Sequence, residues 1–285
     1  MSDAHRRRLV LIAAAHLRVG ARRLRALARG DDGALREWIA NESGAALARA
    51  RAHARADDAR LTALGARFVA LSDAAYPAPL LELTDPPPFL TVLGTDVRGG
   101  VAIIGSRDGN QSALTFAYEL ARALGEPVIA GLARGVDAAA HTGALDAGIA
   151  TVAYVGTGIG VTYPAEHAAL QQRIVASGGA IISERLPDEV VSRWALVRRD
   201  RLQAAHARAV VLVASDRDGG AMHTMRYARL LGRPRFVLED AAMQLGDGNA
   251  VARAEGAVPL PFDVARACMV MRDRASSSSP AGDLR

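Results

Sequence analysis

The chain has 285 residues, half of them hydrophobic and 23% charged, which allows a sizeable core and excludes a chain disordered throughout. No apolar run approaches the ~20 residues that span a bilayer, and the single cysteine, Cys268, can form neither an internal disulfide nor a multi-cysteine metal site. All 35 basic residues are arginine, and residues 1–60 hold 13 of them against 7 acids, so the basic balance belongs to the N-terminal segment. Such a segment can attract phosphate backbones, and it also suits a solvated helix face. A soluble, cytoplasmic protein without a membrane partner is expected.

In chain order, Leu9, Ile12, Ala13, Leu17, Leu24 and Leu27 recur at helical spacing, broken by Gly20 and by Gly30-Asp31-Asp32-Gly33. The start reads as a helix and not a signal peptide, because Arg18, Arg22 and Arg23 interrupt the apolar stretch. Further helices are expected at Ala34–Ile39 and Ala45–Leu64, making residues 1–64 a small helical domain. From Phe68 the period changes. A short strand at Phe68–Leu71, the rigid Asp85-Pro86-Pro87-Pro88 and a strand at Phe89–Gly94 lead into the main domain.

Short buried strands then recur at Val101–Ile104, Val128–Ala130, Thr151–Val155, Ala180–Ile182, Ala209–Val213 and Arg235–Leu238, each followed by a small-residue loop and mostly by a helix. Their continuous Val/Ile/Ala composition predicts an α/β fold, a mainly parallel sheet with helices on both faces. Ligands bind such sheets at the carboxyl ends of the strands. This main domain is taken as residues 65–264. Residues 265–285, with Ser276–Ser279 before Pro280, read as a disordered tail.

The strand-end loops carry the chemistry. Gly105-Ser106-Arg107 combines close backbone approach, a hydroxyl donor and a planar guanidinium fork, which suits phosphate; a tight turn with a surface arginine fits equally. Gly131-Leu132-Ala133-Arg134-Gly135 repeats the pattern. After it, Asp137 is expected to cap the following helix, and His141 to be a polar packing residue with no third ligand for a metal. No G-x-G-x-x-G opens the first loop, so a nicotinamide dinucleotide cofactor is rejected and no other cofactor is indicated.

Gly156, Gly158 and Gly160 precede Tyr163-Pro164 and again allow close approach. Ser183-Glu184 has no histidine placed to activate the serine, so no catalytic residue is assigned. Arg193, Arg198, Arg199, Arg201 and Arg208 surround Asp200 beside Trp194. Guanidinium forks there suit phosphates and the indole suits a base; pairing with Asp188, Glu189 or Asp200 on a solvated helix is the alternative. Gly220 and Thr224 open a further helix whose free N–H groups suit another phosphate.

Gly105-Ser106-Arg107, Gly131 to Asp137 with Ala140-His141, Gly156-Thr157-Gly158 with Tyr163-Pro164, and Ser183-Glu184 resemble, in that order, the DprA (Smf) DNA-processing proteins. The resemblance extends to Tyr76-Pro77, Pro87, Gly248-Asn249 and Gly256-Ala257. It implies an extended Rossmann-like fold and a weak match of the N-terminal helices to a sterile-alpha-motif-like domain. It implies a non-enzymatic, dimeric protein that binds single-stranded DNA and helps load the RecA recombinase in natural transformation. Arg107, Arg134, Arg199 and Arg201 would line the pocket, with Gly105, Ser106, Gly131 and Gly220 on its floor. The family's winged-helix domain is not expected in this chain.

The sequence departs from the family pattern at Asp200 (usually an amide), Ala214 (usually an acid) and Ala221 (usually a hydroxyl). An acid near a phosphate path weakens binding unless an arginine neutralises it. The alternative is a small-nucleotide-binding or phosphoribohydrolase-like Rossmann protein, although that group's Pro-Gly-Gly-x-Gly-Thr-x-x-Glu signature is absent. A scaffold that has lost ligand binding is a third reading.

Overall fold

The computed structural model describes residues 2–31, 33, 44–239 and 244–277, so the helix expected at Ala34–Ile39 lies outside the described residues. Helices α1 (Asp3–His16), α2 (Ala21–Ala28) and α3 (Gly44–Ala63) precede the sheet. The Ser2 hydroxyl caps α1 by accepting from the His5 N–H. Leu11, Ile12, Leu24, Leu27 and Ala54 join one buried cluster with Tyr76, Leu80 and Phe89, so these helices share a core with the start of the sheet. The Arg8–Asp58 ion pair at 2.5 Å and the His16–Asp57 hydrogen bond at 2.7 Å tie α1 to α3.

The strands are β1 (Arg67–Ala70), β2 (Phe89–Gly94), β3 (Val101–Ile104), β4 (Val128–Ala130), β5 (Thr151–Tyr154), β6 (Ala180–Ser183), β7 (Ala209–Leu212), β8 (Arg235–Leu238) and β9 (Val258–Leu260). Their order in one sheet is β1-β2-β6-β5-β4-β3-β7-β8-β9. Pairs β1–β2 and β2–β6 are antiparallel and the rest are parallel. The intervening helices are α4 (Gln111–Ala123), α5 (Val136–Asp146), α6 (Ala168–Ala176), α7 (Arg193–His206), α8 (Ala221–Leu230) and α9 (Asp247–Ala254), followed by α10 (Val264–Ser277). Along β3, Ala102 and Ile104 enter one core cluster while Val101 and Ile103 enter the other, as a sheet covered on both faces requires.

Two elements depart from expectation. β9 contains Pro259, which the ladder tolerates because the strand is the sheet's edge. Residues 265–277 are not a disordered tail. They continue α10, whose Ala267, Cys268 and Met271 bury against the cluster containing Phe116; the helical spacing of these three outweighs the polar run that follows. Residues 278–285 lie outside the described residues. No helix among the described residues is long and apolar enough to cross a membrane.

From β3 the chain steps outward through β4, β5 and β6, then crosses to β7 on the other side of β3. The loops after β3 and β7 therefore diverge and leave a crevice at the carboxyl ends of the strands. Helix α7 forms one wall of it and is anchored from behind by Arg201. This arginine is 1% exposed; its two Nη groups donate to the Glu184 carboxylate at 2.9 and 2.7 Å, and its Nε donates to Asp85 at 3.3 Å. Arg198 completes the cluster, 3.1 Å from Asp85 and 3.4 Å from Glu184, with its guanidinium over the Trp194 ring.

Removing Glu184 takes both Nη–carboxylate hydrogen bonds from the buried Arg201 and leaves Asp85 as the one carboxylate in the cluster. Glu184→Ala is expected to destabilise the protein by about 3–5 kcal/mol in urea unfolding; a loss below ~1 kcal/mol would show that the cluster does not hold α7.

Candidate nucleic-acid interface

Backbone hydrogen bonds fix the loops that line the crevice. The Ser106 N–H donates to the Ala214 carbonyl at 2.7 Å, linking the loops after β3 and β7, and the Val136 N–H donates to the Ser106 carbonyl at 3.2 Å, linking those after β3 and β4. Gly135 makes the second link possible. Its φ is +72°, and a Cβ there would collide with the Ser106 and Arg107 carbonyls. The Ser106 hydroxyl accepts from the Asp108 N–H at 3.1 Å, which leaves its own proton to donate.

The crevice has two lobes that share Arg107, Ala133, Tyr163, Leu196 and Arg199. The smaller, about 240 Å³, is lined by Arg107, Arg134 and Arg199 with Glu166 as its one carboxylate, and Gly131 forms part of its surface. Arg107 and Arg134 are exposed, and Arg134 lies 3.9 Å from Glu166. Arg199 is 7% exposed, its Nη1 3.3 Å from Asp200 and its Nη2 3.9 Å from Asp137. Its guanidinium occupies the space that a Cβ on residue 131 would fill, so any side chain there would displace it from its seat. The larger lobe, about 600 Å³, lies between the loops after β3 and β7 and includes Gly105, Ser106, Gln203, Ser215, Gly220 and Thr224.

Of the residues singled out from the sequence, Gly105, Ser106, Arg107, Gly131, Arg134, Arg199, Gly220 and Thr224 therefore converge on the crevice. Arg198 and Arg201 do not. Both are held by Asp85 and Glu184 on the far side of α7, and their role is to fix the helix. Gly156 packs under Leu196 of α7, and Gly158 lies beneath Leu186 and Pro187, its N–H donating to the Glu189 carbonyl at 2.8 Å. These glycines and Gly135 shape the walls from outside.

Asp137 is not a cap for α5. Its carboxylate turns back to accept from the Gly131 and Ala133 N–H groups at 3.0 and 3.3 Å, and Gly135 stands at the helix start. His141 is the polar packing residue expected. Thr151 donates to the Val128 carbonyl, so the 2.7 Å contact requires His141 Nδ1–H to donate to Thr151, and burial lowers the imidazole pKa to about 3.

Arginines outnumber carboxylates only in the smaller lobe. The larger one sets Arg107, Arg193 and Arg199 against Asp108, Asp137, Asp200, Asp216 and Asp218. Tyr163, Leu196 and Gln203, which sequence reasoning did not place at a site, also line it. Nothing local marks Gln203, which reads as one polar residue within a helix.

Residues 67–264 match the family described as DNA recombination-mediator protein A. The chain belongs to that family. It is similar to the Smf protein of Synechocystis sp., 32% identical over 185 residues, covering 61% of this chain and 46% of the relative. It is also similar to a putative DNA processing protein DprA of Mycobacterium tuberculosis, 40% identical over 135 residues, covering 46% of this chain and 34% of the relative. The chain thus spans under half the length of these two relatives. The DNA processing protein DprA of Streptococcus pneumoniae is 31% identical over 209 residues, covering 70% of this chain and 74% of that one.

The X-ray structure of Streptococcus pneumoniae DprA aligns with a TM-score of 0.67 at 24% identity, covering 89% of each chain. The structure of Helicobacter pylori DNA processing protein A, which describes its single-stranded DNA binding mode, aligns with a TM-score of 0.64 at 26% identity, covering 73% of this chain and 97% of that one. Both support the extended Rossmann-like architecture inferred from the resemblance.

Within this family fold, Asp200 is electrostatically out of balance. Burial raises its carboxyl pKa to about 7, opposed by Arg199, reinforced by Asp137 and opposed again by Arg107. Burial also raises Asp137, against Arg199 and the two backbone N–H groups. The folded state thus holds the Asp200 proton more tightly than the unfolded chain, where the ordinary value is 3.8. That stabilisation is complete below the unfolded value and is lost as pH rises through about 7. Asp200→Asn is expected to match the parent at pH ~4 and to exceed it by about 1 kcal/mol or more at pH ~8, read from urea midpoints. Equal stability of the two proteins at the higher pH would contradict this.

Proposed function

We propose that the chain binds single-stranded DNA along the crevice, with backbone phosphates in the smaller lobe. The observation that carries this reading is the grouping of Arg107, Arg134 and Arg199 in one lobe with a single carboxylate, Glu166. Guanidinium groups hold phosphate oxygens bidentately, and Arg199 is pre-oriented by its seat on Gly131. Exposed Arg107 and Arg134 supply the charge that a strand meets first. Tyr163, on the shared border of the two lobes and 39% exposed, offers a ring for a base to stack on.

Family membership and the single-stranded DNA binding mode described for Helicobacter pylori DNA processing protein A support the same reading. On this view the protein acts by holding a strand and not by catalysis. It works in the cytoplasm as a homodimeric mediator that helps load RecA during natural transformation; this finer role rests on family resemblance alone.

Titration of single-stranded and double-stranded oligonucleotides by fluorescence anisotropy tests the proposal. Single strands are expected to bind more tightly, with log affinity falling against log salt at a slope of about −2 for three phosphate contacts. Arg107→Ala and Arg134→Ala, both exposed, are each expected to weaken binding about tenfold and to reduce that slope. Salt-independent binding, or affinity unchanged in both variants, would overturn it.

A further inference from the structure

Of the three arginines in the smaller lobe, only Arg199 is buried, and two carboxyls flank its guanidinium, Asp200 at 3.3 Å and Asp137 at 3.9 Å. With these counted beside Glu166, three arginines meet three carboxyls, and the lobe is electrically neutral when all three are ionised. A phosphate entering a neutral site gains little attraction. Loss of one negative charge makes the lobe cationic, and the surroundings single out the carboxyl that gives it up. Asp137 accepts from two backbone N–H groups, which favour its charged form, and Glu166 is exposed to water. Asp200 is 6% exposed, and no backbone N–H reaches its carboxyl among the described residues. Around it, α7 supplies Arg193 and Arg199, and the loop after β3 supplies Arg107 and Asp108. Helix α5 adds Asp137, the loop after β7 adds Asp216 and Asp218, and α8 adds His223. Four carboxyls against three arginines favour the neutral form of Asp200.

We propose that strand binding by this chain is coupled to a proton on Asp200: the neutral carboxyl leaves Arg199 free for phosphate, and the ionised carboxylate competes for the same guanidinium. A bound phosphate in turn raises the proton affinity of Asp200, so binding draws a proton in. Burial pushes this carboxyl up to about 7, which places the coupling at neutral pH. Affinity is therefore highest below that value and falls by up to about tenfold per pH unit above it. The amide usual at this position in the family does not titrate, so the coupling belongs to the carboxyl found here. The inference rests on the strand-binding reading and concerns how Arg199 is made available to the strand.

The test is an anisotropy titration of an oligothymidine from pH ~6 to ~8.5 at fixed ionic strength, with the parent, Asp200→Asn and Glu166→Gln. Asparagine matches aspartate in size, so Asp200→Asn is expected to fold. It should bind about tenfold more tightly than the parent at pH ~8.5, with the gap closing toward pH ~6. Glu166→Gln removes an exposed charge from the same lobe and should raise affinity by a similar factor at every pH, keeping the parent's pH slope. Calorimetry in two buffers of different ionisation enthalpy should read close to one proton taken up per binding event by the parent at pH ~8, and little by Asp200→Asn. Equal or weaker binding by Asp200→Asn at the higher pH, or no proton uptake by the parent, would overturn the coupling and leave strand binding intact. Strand binding by none of the three proteins at any pH would overturn the strand reading together with this inference.

Discussion

The Arg199 guanidinium sits against Gly131, in space that any side chain at position 131 would claim, and is held between Asp137 and Asp200. The geometry of the crevice follows from this contact. Asp137 accepts from the Gly131 and Ala133 N–H groups, so the carboxylate facing the guanidinium also sets the loop after β4. That loop fixes Gly135, through which the loop after β3 is joined. On the opposite side of α7, Arg201 is locked to Glu184 and Asp85, so the helix is secured on two sides. A wall held this way can present a buried cation with little reorganisation, the condition under which a charge-assisted contact contributes most.

The same arrangement divides the crevice electrically. A strand is amphipathic in a specific sense: its phosphates carry charge, whereas its bases carry neutral donors and acceptors. On the proposed reading, the smaller lobe, with three arginines to one carboxylate, complements the phosphates, and the acid-rich larger lobe does not. Asp200 stands where the family pattern has an amide. Viewed as a phosphate contact, this carboxyl is a defect. As the neighbour of Arg199 it offsets part of the cost of burying that guanidinium, although its own burial costs more than the pairing returns.

Much of the fold was legible in the sequence because its signals are local. Continuous Val/Ile/Ala runs mark strands covered on both faces, and the loops after β3 and β4 carry glycines wherever the backbones must approach. What remained hidden depends on contacts distant along the chain. Asp85 and Arg201 are 116 positions apart, and nothing near Arg201 says that it faces inward while Arg199, two residues earlier, lines the crevice. The arginine run therefore read as a single patch. Likewise Gly156 and Gly158 read as ligand glycines, although their small size serves the packing of α7 and of the Leu186–Pro187 turn. In α10, a serine-rich end masked apolar spacing that only the partner surface around Phe116 makes meaningful.

Leu196, Arg199, Asp200 and Gln203 follow the i, i+3, i+4, i+7 spacing of one helix face, and all four line the larger lobe. The opposing loops add Ser106, Arg107, Asp108, Asp216 and Asp218 to the lining and are held by hydrogen bonds such as Ser106 to Ala214 and Ser215 to Leu245. Backbone groups at strand ends suit any anion and scarcely distinguish one base from another. The α7 face is where a substitution changes side-chain chemistry with the least effect on the loop framework. A chain of this construction can keep its loop framework while the lining of the larger lobe changes at single positions of one helix, and Asp200 and Gln203 occupy such positions here.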